Sequence, residues 1–137
     1  MTQKYLKISD TWHPLPNLRG DSSKPFRIFD IMKNAPIDSP NVGQWLLFSL
    51  QGFIPNAERG ELLTVEESAT YTKLKDKLSA GILGKRDWVH LEFADLLLMN
   101  QLIRWIYPLQ VWHEEAPRVL QLLAECPDQI PTIEAVA

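Results

Sequence analysis

The chain has 137 residues, 14 Lys and Arg against 17 Asp and Glu, a formal net charge of −3, and an apolar share of 45%. That length suits one domain with its own core, and the mixed, slightly acidic charge disfavours nucleic acid and anionic lipid as partners. One cysteine, Cys126, excludes an internal disulfide framework and a multi-cysteine zinc site.

In chain order, "MTQKYLKISDTW" lacks the apolar run of a signal peptide, so cytoplasmic residence is expected. "KYLKI" alternates as a short strand would. "WHPLPNLRGDSSKP" then places Pro14, Pro16, Gly20 and Pro25 close together, which breaks any regular element. Residues 1–25 are therefore expected to form an irregular, proline-rich arm. Within it, Arg19-Gly20-Asp21 reads as a turn rather than as a recognition loop.

A helical domain is expected over residues 26–126, followed by an irregular tail over 127–137. In "KPFRIFDIMKNAP", Ser23 as N-cap and Pro25 in the first turn predict a helix down to Asn34. "DSPNVGQWLLFSLQGF" repeats that pattern, with Ser39 as N-cap, Pro40 at the first helical position and Gly52 as a left-handed stop. Thr64 and Glu67 make a capping box for "LTVEESATYTKLKDKLSAG", with Gly81 as the stop. After a brief extended step at "WVHL", the stretch Glu92–Tyr107 reads as a helix apolar nearly all round. It carries Asp95, Asn100, Gln101 and Arg104. These charges and amides argue against a membrane span and for a central place in the core. Pro117 opens a last helix, or else kinks one that continues through it. The fold class expected is mainly α: a single compact domain of four to six helices, with small strand content near the N-terminus and around Val89.

Chemistry-bearing residues are few. His90, Glu92 and Asp95 could offer ligands to a metal, as a small metal-dependent enzyme would need. The simpler reading gives both carboxylates a role at a helix N-terminus. His113 beside Glu114 and Glu115 could titrate near neutrality, but reads more simply as a solvated polar stretch. Lys73, Lys75, Lys77, Lys85 and Arg86 supply a basic patch without a common helix face. No phosphate-cradling or dinucleotide motif is present, so no cofactor and no catalytic residue is assigned.

The succession "FRIFDIMKNA", "YTKLKDKL", "VHLEFADLLLMNQLI" and "YPLQVW" before a leucine-rich end resembles small bacteriophage-encoded accessory proteins over residues 26–124. The resemblance lies in apolar pattern and carries no site residues. It implies a virus-encoded protein and assigns it no activity. Five tryptophans, the surplus of apolar faces and the lack of a catalytic constellation point instead to a protein-binding regulator without enzymatic activity, one that acts on a host protein if the chain is phage-encoded. Trp12, Leu15 and Leu18 on the arm, with Trp105 and Trp112, are the contact residues expected. The partner is another protein, either a host protein or a second copy of this chain. A virion-assembly component or a self-associating structural protein would share the pattern.

Overall fold

The computed structural model describes residues 4–13, 27–30, 35–106 and 115–130. Its elements are, in order, β1 (Lys4–Lys7), β2 (Arg27–Asp30), β3 (Ala35–Asp38), α1 (Val42–Gln51), α2 (Val65–Leu83), β4 (Trp88–Leu91), α3 (Phe93–Ile106) and α4 (Ala116–Ala124). A short 3-10 turn, Ala57–Arg59, lies between α1 and α2. The four helices among the described residues accompany two small antiparallel sheets, so the fold is mixed α/β rather than mainly α.

Both short extended stretches expected from the sequence exist, and they pair with each other. Lys4 lies opposite Leu91 and Lys7 opposite Trp88. The helix expected down to Asn34 is not formed at Arg27–Asp30, the part of it within the described residues. Arg27–Asp30 is instead a strand paired with Ala35–Asp38, Ile28 opposite Ile37. β-Branched Ile28 and Ile37 suit a pleated pair, and Pro36 opposes helix while being tolerated on an edge strand. Ile28 is buried in the core, and Arg27 is tied to Asp38 across the pair. Residues 14–26, most of the expected arm, lie outside the described residues. Of the expected tail, residues 127–130 carry no helix or strand.

The helix ends refine the sequence reading. α1 is capped by Asn41, not Ser39. The Asn41 side chain accepts from the Gln44 N–H at 2.8 Å, and the Gln44 side chain accepts from the Asn41 N–H at 2.9 Å. Ser39 has φ 49°, and the Pro40 carbonyl accepts from the Trp12 N–H at 2.9 Å, so both residues precede the helix. Gly52 does end α1, but with φ −80°, a right-handed rather than a left-handed stop. The Thr64–Glu67 capping box of α2 forms as expected. Its stop is Gly84, whereas Gly81 lies buried inside the helix.

That glycine has a packing reason. A Cβ on Gly81 would come within 2.8 Å of both Ile8 Cδ1 and Val89 Cγ2, and one on Gly43 of α1 would come within 3.0 Å of Ile8 Cβ. Ile8, fully buried, thus fits against two helices where each lacks a side chain. Its carbonyl also accepts from the Gly43 N–H at 3.1 Å. α3 supplies Leu98, Met99, Leu102, Ile103 and Ile106 to the same core, where they join Leu74 and Leu78 of α2, Leu46 and Leu50 of α1, and Val119 and Leu123 of α4. The apolar run of α3 is therefore explained by neighbours on several sides. α4 starts at Ala116, with Pro117 in its first turn.

Candidate interaction surface

Trp12 is a core residue. Its ring stacks on that of Trp45 with centroids 5.9 Å apart and planes 7° from parallel. The Arg118 guanidinium lies 4.7 Å above the Trp12 ring, and the indole N–H donates to Glu115 Oε1 at 3.3 Å. Glu115 is fully buried and accepts from Arg118 at 3.0 and 2.7 Å on its two oxygens. A buried carboxylate persists only when paired in this way. The Trp12 backbone is fastened to Pro40 and its neighbour Thr11 bridges to Asn41, which turns the indole inward. The expectation that Trp12 faces a partner is thereby corrected: its faces and its donor are engaged within the protein. Leu15, Leu18, Trp112 and His113 lie outside the described residues.

Of the His90, Glu92 and Asp95 set, Asp95 has a local structural use. Asp95, buried, accepts from the Glu92 N–H at 2.9 Å, capping α3, and meets the Lys77 ammonium at 2.6 Å. Val89 and Leu91 face the core, so His90 alternates to the other face of β4, where its ring tilts against Tyr5 at 5.2 Å. No group of three metal-ligating side chains is assembled among the described residues. The lysines are dispersed as well: Lys75 sits 4.2 Å above the Tyr71 ring and Lys77 is bound to Asp95, while Lys73 is exposed on α2. Burial pushes the Cys126 thiol up to about 11, with Lys4 pulling weakly the other way. Among the described residues, no helix is long and apolar enough to cross a membrane.

Trp105 belongs to a different environment. It is half-buried and stacks on Phe53 at 6.1 Å, and Phe53 in turn meets the Tyr71 ring edge at 5.9 Å. The Tyr71 hydroxyl donates to the Leu50 carbonyl, locking the base of the α1–α2 connection. Beyond Phe53 the connection folds back on itself. Asn56 and Glu61 exchange backbone bonds of 3.0 and 2.9 Å, the Asn56 side chain accepts from the Arg59 N–H at 3.2 Å, and Gly60 closes the turn at φ 73°. Ile54 and Leu62 flank the paired Asn56 and Glu61, and Val65 opens α2 just beyond. These three side chains are 79%, 51% and 83% exposed.

The connection, which begins at the Phe53 of that stack, is thus an ordered turn flanked by aliphatic groups exposed to water. Phe93 and Leu97, one turn apart on α3, form a smaller exposed apolar pair. Of the expected contact residues, Trp105 alone is placed beside such a surface among the described residues. Ile54, Leu62 and Val65 escaped the sequence reading, because two loop aliphatics and one at a helix start share no periodicity. The only available signal was their crowding around Pro55 and the Asn56–Gly60 turn. No protein-family model, curated protein or solved structure matches the chain.

Proposed function

We propose that this protein acts without catalysis, by binding another protein through the aliphatic rim of the α1–α2 connection. The observation that carries the reading is the exposure of Ile54 and Leu62 on either side of the hydrogen-bonded Asn56–Glu61 turn and of Val65 at the start of α2. Single exposed aliphatics are ordinary on protein surfaces, but a group of them beside an aromatic stack is a contact surface in waiting. Fully desolvating each would contribute about 1.5–3 kcal/mol. Because the turn is already ordered, little conformational entropy is lost when a partner covers it. The engagement of Asp95 and Glu115 in buried ion pairs supports the non-enzymatic side of the proposal. The bacteriophage-like pattern would make the partner a host protein, with a second copy of this chain as the alternative.

Light scattering across a concentration series separates those two partners. Affinity capture from bacterial lysate should then retain one protein in stoichiometric amount, and Ile54→Asp with Val65→Asp should abolish the retention. Both positions are exposed, so unfolding by urea should be little changed by either substitution. A monomer whose specific capture survives both substitutions would remove the rim from consideration. A substrate turned over by the purified chain would overturn the non-catalytic reading itself.

A further inference from the structure

The outer edge of β1 is only half covered. Ile8 donates its N–H to the Asp87 carbonyl at 2.8 Å, and the antiparallel register therefore points the backbone groups of Lys4, Leu6 and Ile8 toward β4. Tyr5 and Lys7 alternate with them and turn their N–H and C=O groups to the opposite edge. The segment that follows α4 lies along that edge. The Tyr5 N–H donates to the Pro127 carbonyl at 3.0 Å, and the Lys4 ammonium meets Asp128 at 2.5 Å. No main-chain bond from this segment returns to the Tyr5 carbonyl, and Pro127 has no N–H to offer one. Among the described residues, the Tyr5 carbonyl and the Lys7 N–H have no strand partner.

We propose that the outer edge of β1 docks an extended acidic strand from another protein, which takes the place of Pro127 and Asp128. Main-chain bonds to Tyr5 and Lys7 would supply the affinity, as in other strand additions. Lys4 at the start of β1 selects an acidic side chain, and Asp128 already occupies that position, whereas Lys7 is held by Asp10 at 3.4 Å on the other face of the strand. The resident segment is easily displaced. Its charge contact is an exposed ion pair, worth a factor of only a few in equilibrium, and an incoming strand with its own N–H groups makes ladder bonds that Pro127 cannot. This edge belongs to an element other than the α1–α2 rim, so the two surfaces can fail independently.

The test uses the full chain and two fluorescein-labelled peptides, Glu-Val-Glu-Val-Glu and Lys-Val-Lys-Val-Lys, read by fluorescence anisotropy. The acidic peptide should bind and the lysine peptide should not. Asp128→Lys, which loosens the resident segment, should tighten acidic-peptide binding by about fivefold. Lys7→Pro removes a donor that points away from β4, and should weaken binding by about tenfold while sparing the β1–β4 ladder. In the unsubstituted protein, hydrogen exchange at the Lys7 amide should slow when the acidic peptide is added, which makes the test independent of how the variants fold. Equal binding of the two peptides, no gain from Asp128→Lys, or an unprotected Lys7 amide at saturating acidic peptide would each overturn the proposal.

Discussion

Replacing Gly81 by alanine should destabilise this protein, although Gly81 sits inside a helix where alanine is intrinsically preferred. On an exposed helix the exchange would stabilise by about 1 kcal/mol. Here the new Cβ would stand 2.8 Å from Ile8 Cδ1 and 2.8 Å from Val89 Cγ2. Ordinary carbon contacts lie at about 3.5–4.0 Å, so both neighbours must retreat by at least half an ångström. Ile8 is fully buried and held by backbone bonds to Asp87 and Gly43. Val89 is β-branched and stiff about its first torsion. Overpacking of this kind costs about 1–3 kcal/mol, which exceeds the propensity gain over most of its range. The net expectation is a loss of about 1 kcal/mol, or roughly 3–4 °C in Tm for a chain of this length. Urea unfolding followed by circular dichroism would measure it. Ile8→Val alone should cost about 0.5–1.5 kcal/mol, yet in the Gly81→Ala background it relieves one of the two clashes and should cost less. A Tm that rises in Gly81→Ala, or energies that simply add in the double variant, would refute the close approach of Ile8 to α2.

Leu102→Ala and Ile103→Ala, at fully buried positions of α3, should each cost about 2–5 kcal/mol, while Leu97→Ala on the exposed side of the same helix should cost under about 0.5 kcal/mol; equal costs in urea titrations would mean that α3 is not oriented as described. Thr64→Ala should remove about 1 kcal/mol through loss of the α2 cap. The Thr64 backbone N–H holds the Glu67 carboxyl below its ordinary value of 4.5, a bond that Gln101 reinforces. That contribution is fully present above pH 4.5 and lost as pH falls through the depressed value. The stability gap between the unsubstituted protein and Glu67→Ala should therefore be wider at pH 7 than at pH 2.5; a gap that does not close in acid would count against this cap. Cys126, ordinarily near 9.0 and raised to about 11 by burial, should be alkylated by iodoacetamide at pH 8 about a hundredfold more slowly in the native protein than in urea. Equal rates would place the thiol at the surface.

Local chemistry alone was enough to locate much of this fold. The Thr64-x-x-Glu67 box, the glycine after Gln51, the proline opening α4 and the apolar circumference of α3 each act through neighbours a few residues away, so the sequence displays them directly. The same is true of Asp95 at the start of α3, whose capping role was legible without knowledge of its partner Lys77. Other outcomes depended on residues far along the chain. Arg27–Asp30 became a strand because Ala35–Asp38 was there to pair with it, and neither a cap signal at Ser23 nor a proline at position 25 can report a cross-strand partner. Gly81 remained helical because Ile8 and Val89 fill the space above it, so its lack of a side chain reflects close approach rather than chain reversal. Trp12 had every compositional mark of a contact residue, yet Trp45, Arg118 and Glu115 converge on it from elements 33 to 106 residues away. Exposure of Ile54, Leu62 and Val65 was likewise a tertiary result. Burial is a property of what surrounds a side chain, and hydrophobicity alone states only what burial would be worth.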